Sequence, residues 1–343
     1  MRFPGFGGEW KTLFVDDVCP EFQSGKNIKA ENIKSEGLYP VYGGNGLRGY
    51  TDIYNHDGTY VLIGRQGALC GNVRLVEGRN YITEHAIAVS SSNEHCIYFL
   101  YYLFYKMNLG QYSDQSAQPG LAVNKLLRLK LHIPLKDEQT KIAKILTLLD
   151  TRIATQNKII EKLESLIKGL CQKLTLQGDS NTTLNECLEC YSSTLQENSV
   201  FEVGDFPVYG ATGVCGYTNT PEVNRDSILI IKDGASVGAT YYASGKYSAI
   251  GTLNSLVAKK GYSLRYLYYC LKVFNFAPYR TGLAIPHIYF KDYGKAQIWC
   301  PQFEEQCRIA SALEKVEQKI ATEKSLLEQL YSQKRFLLQE MLI

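Results

Sequence analysis

The chain has 343 residues, enough for about two domains. With 45% hydrophobic and 21% charged residues it fills ordinary cores, which excludes a disordered tail. Lys and Arg exceed Asp and Glu by only 37 − 34 = +3, too little to mark a nucleic-acid binder by charge alone.

In chain order, residues 1–136 read as a mixed α/β globular domain. Its opening residues lack the apolar stretch of a secretory signal. Pro40-Val41-Tyr42-Gly43 leads into a glycine-rich turn through Gly46 and Gly49, and Tyr60-Val61-Leu62-Ile63 is a β-rich run bounded by glycine turns. A tyrosine-rich segment at 97–105 looks helical, and the loop at 116–120 precedes the last strand. Beyond Pro134 a long helix is expected over 137–176. Its apolar residues Ile142, Leu146, Leu149, Ile153, Ile160, Leu163 and Ile167 step alternately by four and three if Gln156 fills the gap. A polar linker at 177–183 opens a second domain, 177–303. A second long helix, 304–343, carries Ile309, Leu313, Val316, Ile320, Leu327 and Leu330 in the same register, with Glu323 as the polar member.

The two halves repeat. Pro40–Asp52 recurs as Pro207–Asn219, with eight of thirteen positions identical at an offset of 207 − 40 = 167. The same offset carries Val61-Leu62-Ile63 onto Ile228-Leu229-Ile230, Pro134 onto Pro301, and Glu138-Gln139 onto Glu305-Gln306. This is too long for a solenoid period and points to duplication of a whole domain with its helix. The 3.5-residue repeat, sustained over about five heptads, is the signature of a coiled-coil seam, and polar Gln156 and Glu323 within it would fix register. The expected fold is α+β. Two similar mixed α/β domains are separated by two long helices that form an antiparallel coiled coil with a pseudo-twofold internal repeat.

Catalytic and cofactor motifs are missing from the sequence. There is no phosphate-binding Gly-x-x-x-x-Gly-Lys loop and no dinucleotide fingerprint, and the repeated glycines read as turns that let backbone approach a neighbour. No metalloprotease helix or nucleophile elbow occurs. Cys187 and Cys190 form the one close cysteine pair, without the second pair or nearby His that a structural zinc site needs. Ten scattered cysteines fit a reduced, cytoplasmic protein. None of the five His recurs at the 167 offset, which argues against a repeated His-based active site. The repeated Glu138 and Glu305 sit where a carboxylate complements a helix dipole. With no run of about 18 apolar residues, no membrane partner is expected. Twenty-five Tyr suit either contact surfaces or half-buried strands.

Two segments carry a family resemblance: Ile133-Pro134-Leu135-Lys136-Asp137-Glu138-Gln139-Thr140-Lys141-Ile142-Ala143 and Cys300-Pro301-Gln302-Phe303-Glu304-Glu305-Gln306-Cys307-Arg308-Ile309-Ala310. Together with the Pro-Val-Tyr-Gly loop, the strand turn ending in Gly67-Ala68 and Gln333-Lys334-Arg335 near the end, their duplicated order resembles the specificity (S) subunits of type I restriction–modification systems. One departure is Lys168-Gly169-Leu170 in the first helix.

The resemblance implies a non-catalytic DNA-recognition subunit. Residues 1–136 and 177–303 would be target recognition domains, each reading half of a bipartite, asymmetric site on double-stranded DNA. The helices would set the spacing and dock two methyltransferase (M) subunits for adenine N6 methylation, with motor–nuclease (R) subunits joining for restriction. No cofactor is expected in this chain. S-adenosylmethionine belongs to the M subunits, and ATP and Mg to the R subunits.

Major-groove reading requires forked donors and amides, and the aligned copies differ in just such residues. Asn45 aligns with Thr212, Arg48 with Cys215, and Gln66 with Asp233, while Arg65 aligns with Lys232 and so keeps its charge. Lys26, Gln118, Lys125, Arg280, His287 and Lys291 complete the candidate DNA contacts. Residues 1–136 carry +2 and residues 177–303 zero, so the chain alone is expected to bind DNA weakly and in a salt-sensitive way. The alternative is a coiled-coil scaffold presenting two tyrosine-rich domains to protein or glycan partners.

Overall fold

The computed structural model describes residues 2–114, 120–196, 198, 200–282 and 284–342. The chain forms two compact units, Met1–Gln156 with Leu326–Ile343, and Asn157–Ser325. Each unit therefore owns one part of each long helix, Lys136–Thr175 and Phe303–Met341.

In the first unit, one four-stranded sheet runs in the order Phe22–Ser24, Ala86–Val89, Tyr60–Gly64, Val73–Val76. A second runs Gly46–Thr51, Tyr39–Gly43, Arg79–Ile82, His56–Asp57, and a two-stranded sheet joins Lys11–Phe14 to Lys130–Ile133. The central strand is buried on both faces. Alternate side chains of a strand point to opposite sides, and Val61 and Ile63 enter the core shared with the tyrosine-rich helix Ile97–Met107, while Leu62 packs with Val76, Ile82, Ala86 and Ala88.

The second unit repeats this plan. Its strands Phe206–Gly210, Gly213–Thr218, Val223–Asn224, Ser227–Ile231, Thr240–Ala243 and Lys246–Ala249 stand 167 residues after their counterparts. The bulge between Val41 and Tyr42 recurs between Val208 and Tyr209. Ile228 and Ile230 face the helix Leu264–Val273, and Leu229 and Ile231 face the other core. The end of the expected linker is itself structured, since Thr182–Thr183 pairs with Gln297–Ile298.

Within each unit the two long helices pack antiparallel. In the first, Ile142 and Leu146 share a core with Leu338 and Met341, Leu149 and Ile153 meet Leu330, and Asp150 pairs with Lys334 at 2.5 Å. In the second, Ile167 packs with Ile309 and Leu313, and Glu164 pairs with Lys324 at 2.6 Å. Of the seam residues, Ile142, Leu146, Leu149, Ile153, Gln156, Ile160, Ile167, Ile309, Leu313, Glu323 and Leu330 are buried, and Leu163, Val316, Ile320 and Leu327 are half-buried. Buried polar Glu323 is met by Lys319 at 2.5 Å.

Two duplicated contacts bind each globular part to its helices. The first is a buried glutamine. The Cys96 amide donates to Gln139 Oε1 (2.8 Å), and Gln139 Nε2 donates to the Pro134 carbonyl (2.9 Å). The Ser263 amide likewise donates to Gln306 Oε1 (2.8 Å), and Gln306 Nε2 to the Pro301 carbonyl (2.8 Å). The neighbouring acids do not share one role. Glu138 is fully buried against Arg2 (2.6 Å), whereas Glu305 is partly exposed and pairs with Arg308. The second contact is a tyrosine–carboxylate latch from the tyrosine-rich helix to the long helix. Tyr102 OH donates to Asp150 Oδ2 (2.7 Å) and Tyr269 OH to Glu317 Oε2 (2.8 Å). Burial, reinforced by the carboxylate in each case, holds both phenols neutral well above the usual tyrosine range.

All ten cysteines are free thiols. Burial pushes Cys171 and Cys190 up to about 11 and Cys270 up to about 12. Among the described residues no three His, Cys, Asp or Glu could hold a metal ion, and no helix is long and apolar enough to cross a membrane.

Replacing Gln139 by Leu strands the Cys96 amide and the Pro134 carbonyl. An unmet buried polar group costs about 1–3 kcal/mol, so scanning calorimetry should show the melting of the first unit lowered by roughly 2–10 °C. Gln306→Leu should do the same to the second. An unchanged midpoint would show that the glutamine is dispensable.

The first clamp has an added pH sense. Gln139 Nε2 also lies 3.1 Å from His95 Nδ1, and burial holds the His95 pKa below its ordinary 6.5. Protons bind the unfolded imidazole more readily, so this contribution is complete above about pH 7 and is lost as pH falls through the folded pKa. Tyr262 stands at the equivalent place in the second unit. Denaturant titrations between pH 7.5 and 5.5 should therefore show His95→Gln with a shallower loss of stability than wild type.

Candidate nucleic-acid interface

The central strand of the first unit ends at Gly64, and the turn that follows lies against two others: the hairpin corner at 43–46 and the turn at 83–85. Backbone bonds knit them together. Arg65 N–H donates to the His85 carbonyl (2.9 Å), Thr83 N–H to Tyr42 (2.8 Å), and Leu121 N–H to Arg65 (2.9 Å). A Cβ on Gly44 would stand 2.7 Å from the His85 carbonyl, so this close approach excludes a side chain there. Gly46 turns the hairpin corner at φ +101°, as Gly213 does at φ +109° in the second unit.

These turns line a shallow cleft of about 280 Å³ with Gly44, Asn45, Arg48, Gln66 and His85. Three of the sequence candidates, Asn45, Arg48 and Gln66, thus meet in one place with exposed side chains. His85 joins them, with Nδ1 3.1 Å from Gln66 Oε1 and Nε2 3.1 Å from Glu84 Oε1. Arg65 is half-buried beside the cleft, its backbone fixed by both neighbouring turns.

The equivalent turns of the second unit have the same backbone frame. Lys232 N–H donates to Thr252 (3.0 Å), Ile250 N–H to Tyr209 (2.9 Å), and Ile288 N–H to Lys232 (2.9 Å). Thr212 stands exposed at the hairpin corner, and Lys232 and Asp233 are half-buried. His287 Nδ1 bonds to Asp233 Oδ1 and stacks its ring on Tyr289, with centroids 6.4 Å apart and planes 18° apart. Lys291 Nζ lies 5.3 Å from the centre of the same Tyr289 ring. Asp233, His287 and Lys291 therefore gather around Tyr289, an exposed aromatic that the sequence did not single out.

Three candidates stand apart. Lys26 is exposed on the side of Glu21 and the buried His56, where its charge helps burial to lower the imidazole pKa. Lys125 is held by Asp114 at 2.5 Å, which offsets its charge. Arg280 donates to the Val237 carbonyl (3.1 Å), so part of its donor fork is already used. Gln118 lies outside the described residues.

Among the described residues, these turns hold buried polar atoms with no protein partner: Thr83 Oγ1 and Glu84 Oε2 in the first unit, Thr252 Oγ1 in the second. His85 was hidden in the sequence because its offset partner is Thr252, and Tyr289 because tyrosines are so numerous.

Comparison with known proteins agrees with this arrangement. The family model described as type I restriction modification DNA specificity domain matches residues 7–165 and 191–332. The chain is 46% identical over 170 residues to the type I restriction enzyme EcoprrI specificity subunit of Escherichia coli, a match spanning 48% of this chain and 40% of that one. It is 24% identical over 343 residues to a type I restriction enzyme specificity subunit of Haemophilus influenzae, spanning 90% of this chain and 87% of the relative. In fold it is similar to the crystal structure of a type I restriction–modification S subunit from M. genitalium, with a TM-score of 0.75 at 21% identity, covering 100% of this chain and 99% of that one. The two family matches, one on each half of a duplicated chain, show that the protein belongs to the type I restriction–modification DNA specificity family, as a non-catalytic specificity subunit.

Proposed function

We propose that the two globular parts, residues 1–136 and 177–303, are independent readers of double-stranded DNA, each recognising one half of a bipartite, asymmetric target. The observation that carries this reading is one backbone frame used twice with different side chains at its rim: Asn45, Arg48 and Gln66 in the first, Thr212, Cys215 and Asp233 in the second. A shared scaffold fixes the approach to the duplex, and the variable polar groups supply base recognition. Unmet buried polar atoms in the equivalent turns of both units suit a polar ligand.

The long helices, 137–176 and 304–343, set the separation of the half-sites in this reading and dock two methyltransferase (M) subunits. Apolar side chains left exposed on them, Leu148, Leu166, Leu326, Tyr331 and Phe336, support a docking role. So does a mainly apolar groove of about 460 Å³ lined by Tyr98, Ala143, Thr147 and Leu148 in the first unit. The M subunits would bring S-adenosylmethionine and methylate adenine N6. Motor–nuclease (R) subunits would bring ATP and Mg, all in the cytoplasm beside the DNA.

Co-expression of the full chain with its methyltransferase subunit, followed by methylome sequencing, tests the reading. The expected result is a two-part adenine-methylated motif. Exchanging residues 1–136 for those of a relative should change one part and leave the other intact. A change in both parts would refute independent readers.

A further inference from the structure

Resting on that reading, one position in each reader stands out. Gln66 and Asp233 are 167 residues apart, and each occupies the first turn after the central strand within the same backbone frame. Each is held by an imidazole, but the imidazoles come from unrelated places. His85 belongs to the turn before the strand Ala86–Val89, and its offset partner is Thr252. His287 belongs to the loop before the last strand, and its offset partner is Gly120. His85 Nδ1 lies 3.1 Å from Gln66 Oε1, and His287 Nδ1 bonds to Asp233 Oδ1. A ring partner restrains a rim side chain that would otherwise sample many rotamers.

We propose that residues 66 and 233 are the specificity-determining positions of the two readers, with Gln66 taking adenine, Asp233 taking cytosine, and His85 and His287 acting as positioning residues. The chemistry separates the bases. A primary amide sets an N–H donor beside a carbonyl acceptor, which matches the N7 acceptor and N6 donor on the major-groove edge of adenine. A carboxylate only accepts. Guanine presents two acceptors there and thymine an acceptor and a methyl, so neither suits it. Adenine sets an N7 lone pair beside its amino group, against the second carboxylate oxygen. Cytosine N4 offers a donor without an adjoining acceptor. His287 engages Oδ1 and leaves Oδ2 without a protein donor among the described residues. A carboxylate facing DNA also has no use at phosphates, which repel it.

The test is methylome sequencing of cells carrying the full chain with its methyltransferase subunit. If wild type yields no bipartite adenine-methylated motif, the underlying function is refuted, and this assignment falls with it. Given such a motif, Asp233→Asn should move one base pair of one half from C·G toward A·T, changing the ratio of methylated fractions at least about tenfold. Gln66→Glu should move one base pair of the other half from A·T toward C·G. His287→Gln should narrow discrimination at the Asp233 base pair alone, and Asp233→Glu, which keeps the acceptor, should retain C·G. Unchanged motifs in both Asp233→Asn and Gln66→Glu, shifts in the same half, or a uniform loss of methylation without a single-position shift would overturn the assignment.

Discussion

One buried amide side chain in each unit ties the globular part to the long helices beside it. Gln139 and Gln306 each take a hydrogen bond from the entry to the tyrosine-rich helix and give one to the carbonyl of the proline before the long helix. Both partners are backbone groups, and the glutamine side chains that meet them are buried, where an unmet donor or acceptor is costly. The bond pair thus joins two chain segments through one buried side chain. The tyrosine–carboxylate latch then ties the next turns of the same two helices.

From that anchor the architecture follows outward. The tyrosine-rich helix covers one face of the central sheet, the sheet's middle strand feeds cores on both faces, and the turns at its end carry the variable side chains. Rigid elements below and exposed loops above are a common division of labour in recognition proteins. Here the loops are further restrained by backbone bonds between turns, so that substitution of rim residues need not disturb the frame.

Much of this was legible in the sequence, because a duplicated chain reports on itself. The 167-residue offset located the strands, the hairpins, the tyrosine-rich helices and the long helices, and the 3.5-residue apolar step marked the seam residues. The Glu-Gln repeat was visible as well, but spacing does not tell which of two adjacent polar residues makes the duplicated contact. The acids drew attention for their charge, while the glutamines form the duplicated contact and Glu138 answers to Arg2 instead.

The rim was less legible. No histidine recurs at the offset, which argues against a repeated His-based active site and gives no hint that His85 and His287 reach the equivalent side chains from different loops. Spatial equivalence without sequence equivalence is beyond a register search. Lys125 and Arg280 are candidate DNA contacts in the sequence, but folding brings Asp114 to the one and the Val237 carbonyl to the other.

Hydrogen exchange resolved to single amides tests the anchor most directly. If the glutamines hold each globular part to its helices as described, the Cys96 and Ser263 amides will exchange as slowly as those in the core of the long helices. Exchange at the rate of an exposed loop amide at both positions would contradict the account.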